Sequence, residues 1–408
     1  MNFLLVKGKS FIIKIAELDI RFILLIGLLV FLPTLEAPKN IFAFLFVFAW
    51  VIIAKKNHNW GGKWETIDTI FTLWILFDII ISINAMITHQ LSGEGFRDIF
   101  RFVLIGWCLS RTNFVKERHT QAALIAVVAV VISLIYSYYV GQGNLKELYS
   151  VGHINHTAIY LVLAYSISLA LLLFNFNNLS FYQKVTLTLT SIALFIAILD
   201  THSRAAFGIL IVITLLDFIF LIIRLKKISL LLASIAFFMT LGILFSQNPP
   251  VALQRIQAYD TIFDLSTRTP INNFSYYAFK ANPFFGVGFK NYSTIELDDI
   301  AEIVIKDKNI FDKNLLMNGS HAHNIYFNYL VSGGLLIFSI FAWFWLYIFM
   351  IIIKSLKSPE NDWVSLSATG VLLVNLGIGV VNTTFHHEHA ILSMFVLGIL
   401  ISKFRRFD

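Results

Sequence analysis

Long apolar runs fill this chain and recur at short intervals, separated by brief polar segments. A helix needs about 20 apolar residues to cross a bilayer. By that measure the pattern predicts about twelve spans, near 20–35, 40–55, 67–86, 98–111, 121–140, 157–175, 184–200, 206–224, 228–246, 325–353, 363–384 and 389–403. The fourth is short and carries Arg101, and the tenth is long enough to be tilted or broken at Gly333-Gly334. The residues before Arg21 lack a signal-peptide cleavage pattern and read as an interfacial lead-in. A polar stretch from about 246 to 324 separates the ninth span from the tenth. Loops of that length are usually functional or disordered. This one holds Phe274, Tyr276, Tyr277 and Phe279 and a Pro-Phe-Phe-Gly-Val-Gly turn at 283–288, so it is expected to fold, partly as short helices. The reading is an all-α polytopic membrane protein in three parts: an N-terminal bundle of about nine helices over 1–245, a large outer loop over 246–324, and about three helices over 325–408.

Composition agrees. Of 408 residues, 58% are hydrophobic and 13% charged, where soluble domains carry about 25% charged. That excludes a soluble globular chain, a disordered one and a disulfide scaffold. The single Cys108 lies in an apolar run and reads as inert packing. The net charge of +7 does not point to nucleic acid, because it must first be divided between the two membrane faces. With the N-terminus inside, 19 of the 31 Lys and Arg residues face the cytoplasm, and seven of the other 12 lie in the long loop. Long loops cross regardless of charge. An even number of spans then leaves both termini cytoplasmic. We find no internal repeat of the kind many transporters are built from.

Histidine carries the chemistry. Nine of the 11 histidines fall on the outer side: His89, His153, His156, His202, His321, His323, His386, His387 and His389. They come from five segments, which points to a shared outer cavity. His153 and His156 open the sixth span, where helix-start amides favour an anion. Arg204 stands at the edge of hydrocarbon, where a charge needs a partner or ligand. Arg97 and Arg101 share one helical face beside Asp98, and either phosphate or carboxylates would suit them. Arg268 and Lys280 lie in the long loop. His321 and His323 precede a span, and a helix start favours neutral imidazole, which can act as a base near pH 7. The run Phe385-His386-His387-Glu388-His389 could be a metal site by residue type, but the reading we favour is mutual hydrogen bonding that orders the outer end of the last spans. No P-loop or nucleotide-sugar pattern is present, and the loop carboxylates are scattered.

Three blocks resemble the superfamily of O-antigen ligases and O-antigen polymerases, bacterial envelope glycosyltransferases. They are Ser203-Arg204-Ala205-Ala206-Phe207-Gly208; Arg268 followed by Tyr277-Ala278-Phe279-Lys280-Ala281-Asn282-Pro283-Phe284-Phe285-Gly286-Val287-Gly288; and His323-Asn324, nine residues, then Gly334. The last signature continues to Gly, Thr or Tyr, where this chain has Ile337, a position we read as packing. The resemblance implies an all-helical glycosyltransferase of the inner membrane, independent of metal and of any cofactor. It would move a glycan from undecaprenyl diphosphate to a sugar hydroxyl of lipid A-core at the periplasmic face. By motif it implies Arg204 and Arg268 on the diphosphate and His323 as base. His321, Lys280, His153, His156 and Arg101 are expected to support substrate binding. The nearest alternative is a polymerase that takes a second lipid-linked glycan as acceptor. A lipid-linked glycan flippase is more distant, since it would place charge near the bilayer midplane.

Overall fold

The computed structural model describes residues 19–145, 147–201, 203–225, 268–308, 311–358 and 363–407. The described helices are α1 Ile20–Phe31, α2 Glu36–Lys56, α3 Thr66–Thr88, α4 Phe96–Ser110, α5 Lys116–Val140, α6 Ile154–Phe174, α7 Phe181–Asp200, α8 Arg204–Leu225, α9 Thr269–Ala281, α10 Leu297–Lys308, α11 Ile325–Leu356, α12 Trp363–Leu372 and α13 His387–Phe404. Eight of them are long and apolar enough to cross a membrane, and so is Trp363–Val380, where α12 continues through a π turn and a 3-10 turn. Those nine match nine of the twelve expected spans. Two more expected spans are shorter helices. The twelve-residue α1 gives way at a turn containing Pro33, and α4 has 15 residues, about 22 Å at 1.5 Å per residue. The expected span 228–246, the N-terminal lead-in and His202 lie outside the described residues.

The pattern of exposure is that of a bundle in lipid. Phe44, Phe48 and Ile52 of α2 and Ile132, Ile135 and Tyr136 of α5 are exposed, although their helices pack on the bundle. Where the solvent is hydrocarbon, outward apolar side chains are not a cost. α6 and α13 are almost wholly buried and form the centre. Small residues allow close crossing there. A Cβ at Gly398 would lie 2.6 Å from the Leu109 side chain.

At the end of the bundle remote from the histidine cluster, buried charges tie the loops down. Asp68 accepts hydrogen bonds from Arg111 (2.7 Å), Trp107 (2.9 Å) and Arg405 (3.0 Å). Arg405 also donates to the carbonyl oxygens of Lys63 and Ser110. The two arginines satisfy the one carboxylate and the irregular backbone around Gly62, which hydrocarbon would otherwise leave unpaired.

The described part of the long loop has its own small core. Phe274, Tyr277, Val287, Tyr292, Ile300, Val304 and Leu316 pack together under α9, α10 and α11, and the Tyr292 hydroxyl meets Ser275 at 2.8 Å. It therefore folds with short helices, as its aromatic clusters predict.

Candidate active site

The loop core holds the start of α11 in place through a break in that helix. Gly334 has φ 59° and ψ −163°, which interrupts α11. The backbone groups freed by the break pair with the 283–288 turn. Val287 N–H donates to the Val331 carbonyl (3.0 Å), Gly288 N–H to that of Ser332 (2.8 Å), and Leu335 N–H to that of Pro283 (2.8 Å). The two backbones touch. A Cβ at Gly334 would lie 2.3 Å from the Phe284 carbonyl, and one at Gly286, itself at φ 63°, would lie 2.5 Å from the Val331 oxygen. Both glycines answer a steric demand and not a chemical one. Ile337 is fully buried, and a Cβ on Gly333 would meet it at 2.5 Å, so the position that departs from the family signature is a packing position.

Asn324 sets the first turn of α11. Its Oδ1 accepts from the N–H groups of Tyr326 (2.9 Å) and Phe327 (3.2 Å), and its Nδ2 donates to the Val380 carbonyl (3.0 Å). This is an N-cap that also binds the start of α11 to the 3-10 turn Ile378–Val380. His323 precedes the cap with φ 48°. A left-handed histidine costs roughly 1–2 kcal/mol, and such residues cluster at functional sites.

Seven of the nine predicted histidines gather here. The ring of His156 lies 6.3 Å from that of His153, 5.8 Å from His321, 4.9 Å from His386 and 5.6 Å from His389. His321 and His323 are 4.0 Å apart, and His386 and His387 4.8 Å. Three of the five predicted segments therefore meet. They border a cavity of about 360 Å³ lined by Asp98, His156, Lys290, His321, His386 and His387 over a floor of Phe102, Tyr329 and Phe385. The volume falls in the range of about 300–1,000 Å³ usual for ligand pockets.

The two motif arginines stand at helix starts. Arg204 opens α8 and Arg268 immediately precedes α9. Burial, and then the charge of Arg204, pulls Arg268 below its ordinary value. Arg268 in turn acts on both loop histidines. Burial, then Arg268 and His153, lowers His321. Burial, then His321, Arg268 and His153, holds His323 down at about 3. Two guanidinium groups that feel each other's charge favour an anion, and the neutral imidazoles that feel Arg268 can accept a proton.

Other predicted residues stand elsewhere. Lys280 pairs with Asp307 at 2.6 Å and lies over the Tyr276 ring at 5.0 Å, on the loop surface. Arg101 donates to Asn40 and, at 3.4 Å, to Asp98, the carboxylate pairing its sequence position allows. His89 ends α3.

Sequence reading missed two groups. Asp98 faces the cavity and holds Lys290 at 3.0 Å and His387 at 3.3 Å. Lys39, buried in α2, pairs with Glu36 and with the buried Glu388 of α13, and donates to Ser150 at 2.7 Å. A lysine just inside an apolar run was the available signal, because such a charge needs a partner.

The described residues thus form a helical membrane protein that gathers seven histidines at one end, beside a cavity. Residues 189–342 match the family model described as O-antigen ligase. The matched stretch runs from α7 into α11 and takes in Arg204, Arg268, His321, His323 and Gly334. Over that stretch the chain is similar to the O-antigen ligase family. No curated protein matches the chain.

Proposed function

We propose that this chain is an O-antigen ligase of the bacterial inner membrane. It transfers a glycan from undecaprenyl diphosphate to a sugar hydroxyl of lipid A-core. The histidine-bearing end faces the periplasm and both termini face the cytoplasm. The observation that carries the reading is that Arg268 lies close enough to feel the charge of Arg204 and to act on His321 and His323, of which His321 lines the cavity.

The donor supplies its own leaving group. The bond between the anomeric carbon and the diphosphate oxygen breaks, and the electron pair leaves with the diphosphate. Arg204 and Arg268 hold that diphosphate, and their charge meets the charge that grows on it. The acceptor hydroxyl oxygen bonds to the anomeric carbon, and its proton passes to neutral His323. His321 flanks the base. Arginine takes the place a divalent cation has in other transferases, so the reacting centre works without metal.

A polymerase would use the same donor groups with a second lipid-linked glycan as acceptor. A lipopolysaccharide gel of a strain lacking the gene separates the two. The ligase reading predicts rough lipopolysaccharide with accumulated lipid-linked polymer, and a single repeat on the core means polymerase. Cysteine labelling of whole cells tests sidedness. A cysteine at Ser293 should react and one at Ser358 should be protected.

A further inference from the structure

His156, His386 and His389 each offer a ring nitrogen, and the three nitrogens lie within 4.8 Å of one another. His389 is fully buried. Its Nε2 contacts the carbonyl oxygen of His156 at 2.8 Å. A carbonyl only accepts, so Nε2 carries the proton and Nδ1 carries a lone pair. That Nδ1 is buried with no hydrogen-bond partner, and so is the Nδ1 of His156. His386 repeats the arrangement, donating from Nε2 to the Thr383 carbonyl at 3.1 Å. A ring whose far N–H is held by a backbone carbonyl is a common form of metal-binding histidine. A buried lone pair without a donor is costly, and a metal ion would satisfy it. His387, one residue from His386, turns instead to Asp98.

We propose that His156, His386 and His389 bind one zinc-class divalent metal ion that joins the start of α6 to the start of α13 beside the cavity. Three neutral nitrogens suit zinc among the available ions, and the fourth tetrahedral position is left to water. Zinc–nitrogen bonds of about 2.0–2.1 Å put tetrahedral ligands about 3.3 Å apart, so small ring movements close the set. His156 and His386 line the cavity. None of the three ligands lies in the stretch that matches the family model. None of the three is given a part in the transfer steps proposed above, although two of them line the same cavity. His156, expected from sequence to touch substrate, is here a ligand.

The test uses the full chain, purified in detergent with a tag free of histidine, equilibrated with zinc sulfate and then dialysed against metal-free buffer. Elemental analysis should find about one zinc per chain. Cobalt in its place should give the visible absorption of a tetrahedral nitrogen site. His386→Ala and His156→Ala should abolish retention, while His387→Ala should keep it. Zinc should raise the unfolding temperature of the wild type and leave that of His386→Ala unchanged, since a ligand bound only by the folded state stabilises it. If His389→Ala fails to fold, the partly exposed His386 supplies the readout. Absence of retained zinc in the folded wild type, or equal retention in His386→Ala and His156→Ala, overturns the proposal.

Discussion

His389 of α13 donates from Nε2 to the carbonyl oxygen of His156 at 2.8 Å, linking residues 233 positions apart. The bond joins the starts of the two most buried helices, α6 and α13, and so fixes one wall of the cavity. Glu388, next in sequence, is buried and bound to Lys39 of α2.

The Lys39–Glu388 pair should therefore hold the wall more than it holds substrate. Lys39→Met leaves a buried carboxylate without its partner, which costs about 3–5 kcal/mol. The double change Lys39→Met with Glu388→Leu should recover most of that loss, because no charge is left uncompensated. Thermal unfolding in detergent measures both. Equal loss in the single and double variants would mean that the pair contributes only packing.

Gly334→Ala should destabilise the loop core together with α11. The left-handed backbone adds roughly 1–2 kcal/mol and the close contact about 1–3 kcal/mol, because the new methyl group would meet the Phe284 carbonyl at 2.3 Å. The check is the unfolding midpoint, alongside proteolysis of the 268–324 segment. An unchanged midpoint would show that the turn can move away from the helix.

The pH dependence follows from His323. Its folded form holds near 3 against an ordinary 6.5, lowered by burial, then by His321, Arg268 and His153. The unfolded chain takes up the proton first as pH falls. Stability from this group is thus complete above 6.5 and is lost as pH drops from 6.5 toward 3. The imidazole stays neutral throughout that window, so the acid limb of the transfer rate should lie well below pH 6.5. Arg268→Gln removes one of the charges that depress it, and the limb of the residual activity should move to higher pH. An acid limb at 6.5 in the wild type would place another group in control.

Much of the architecture was legible in the chain, because a bilayer requires long apolar helices and the polar breaks mark their ends. The break in α11 was legible too, since two adjacent glycines interrupt an overlong span. The cap role of Asn324 and the seat of Gly334 on the 283–288 turn were not. They depend on contacts between segments that no local pattern encodes. Histidine sidedness foretold a cavity from five segments, yet the ring contacts join three, and one of the others, His202, lies outside the described residues. Lys280 and Arg101 were drawn toward substrate by charge alone, and Asp307 and Asp98 supply nearer partners.

The two arginines should differ from the histidine in what they control. Diphosphate charge is present before reaction and grows during it. Arg204→Ala and Arg268→Ala should therefore weaken both donor binding and turnover. Lysine at either site should rescue only partly, restoring charge without the two-pronged contact. Binding of a defined lipid-linked donor in detergent, measured beside the transfer rate, decides this. Unchanged donor affinity in both alanine variants would remove the diphosphate assignment.

The most direct measurement is single-turnover transfer by His323→Ala with that donor and a lipid A-core acceptor, set against donor affinity in the same preparation. With the base removed, turnover should fall by about 10²–10⁴-fold while donor affinity stays near that of the wild type, because the imidazole faces the acceptor hydroxyl. Near-normal turnover in a folded His323→Ala enzyme would contradict the account.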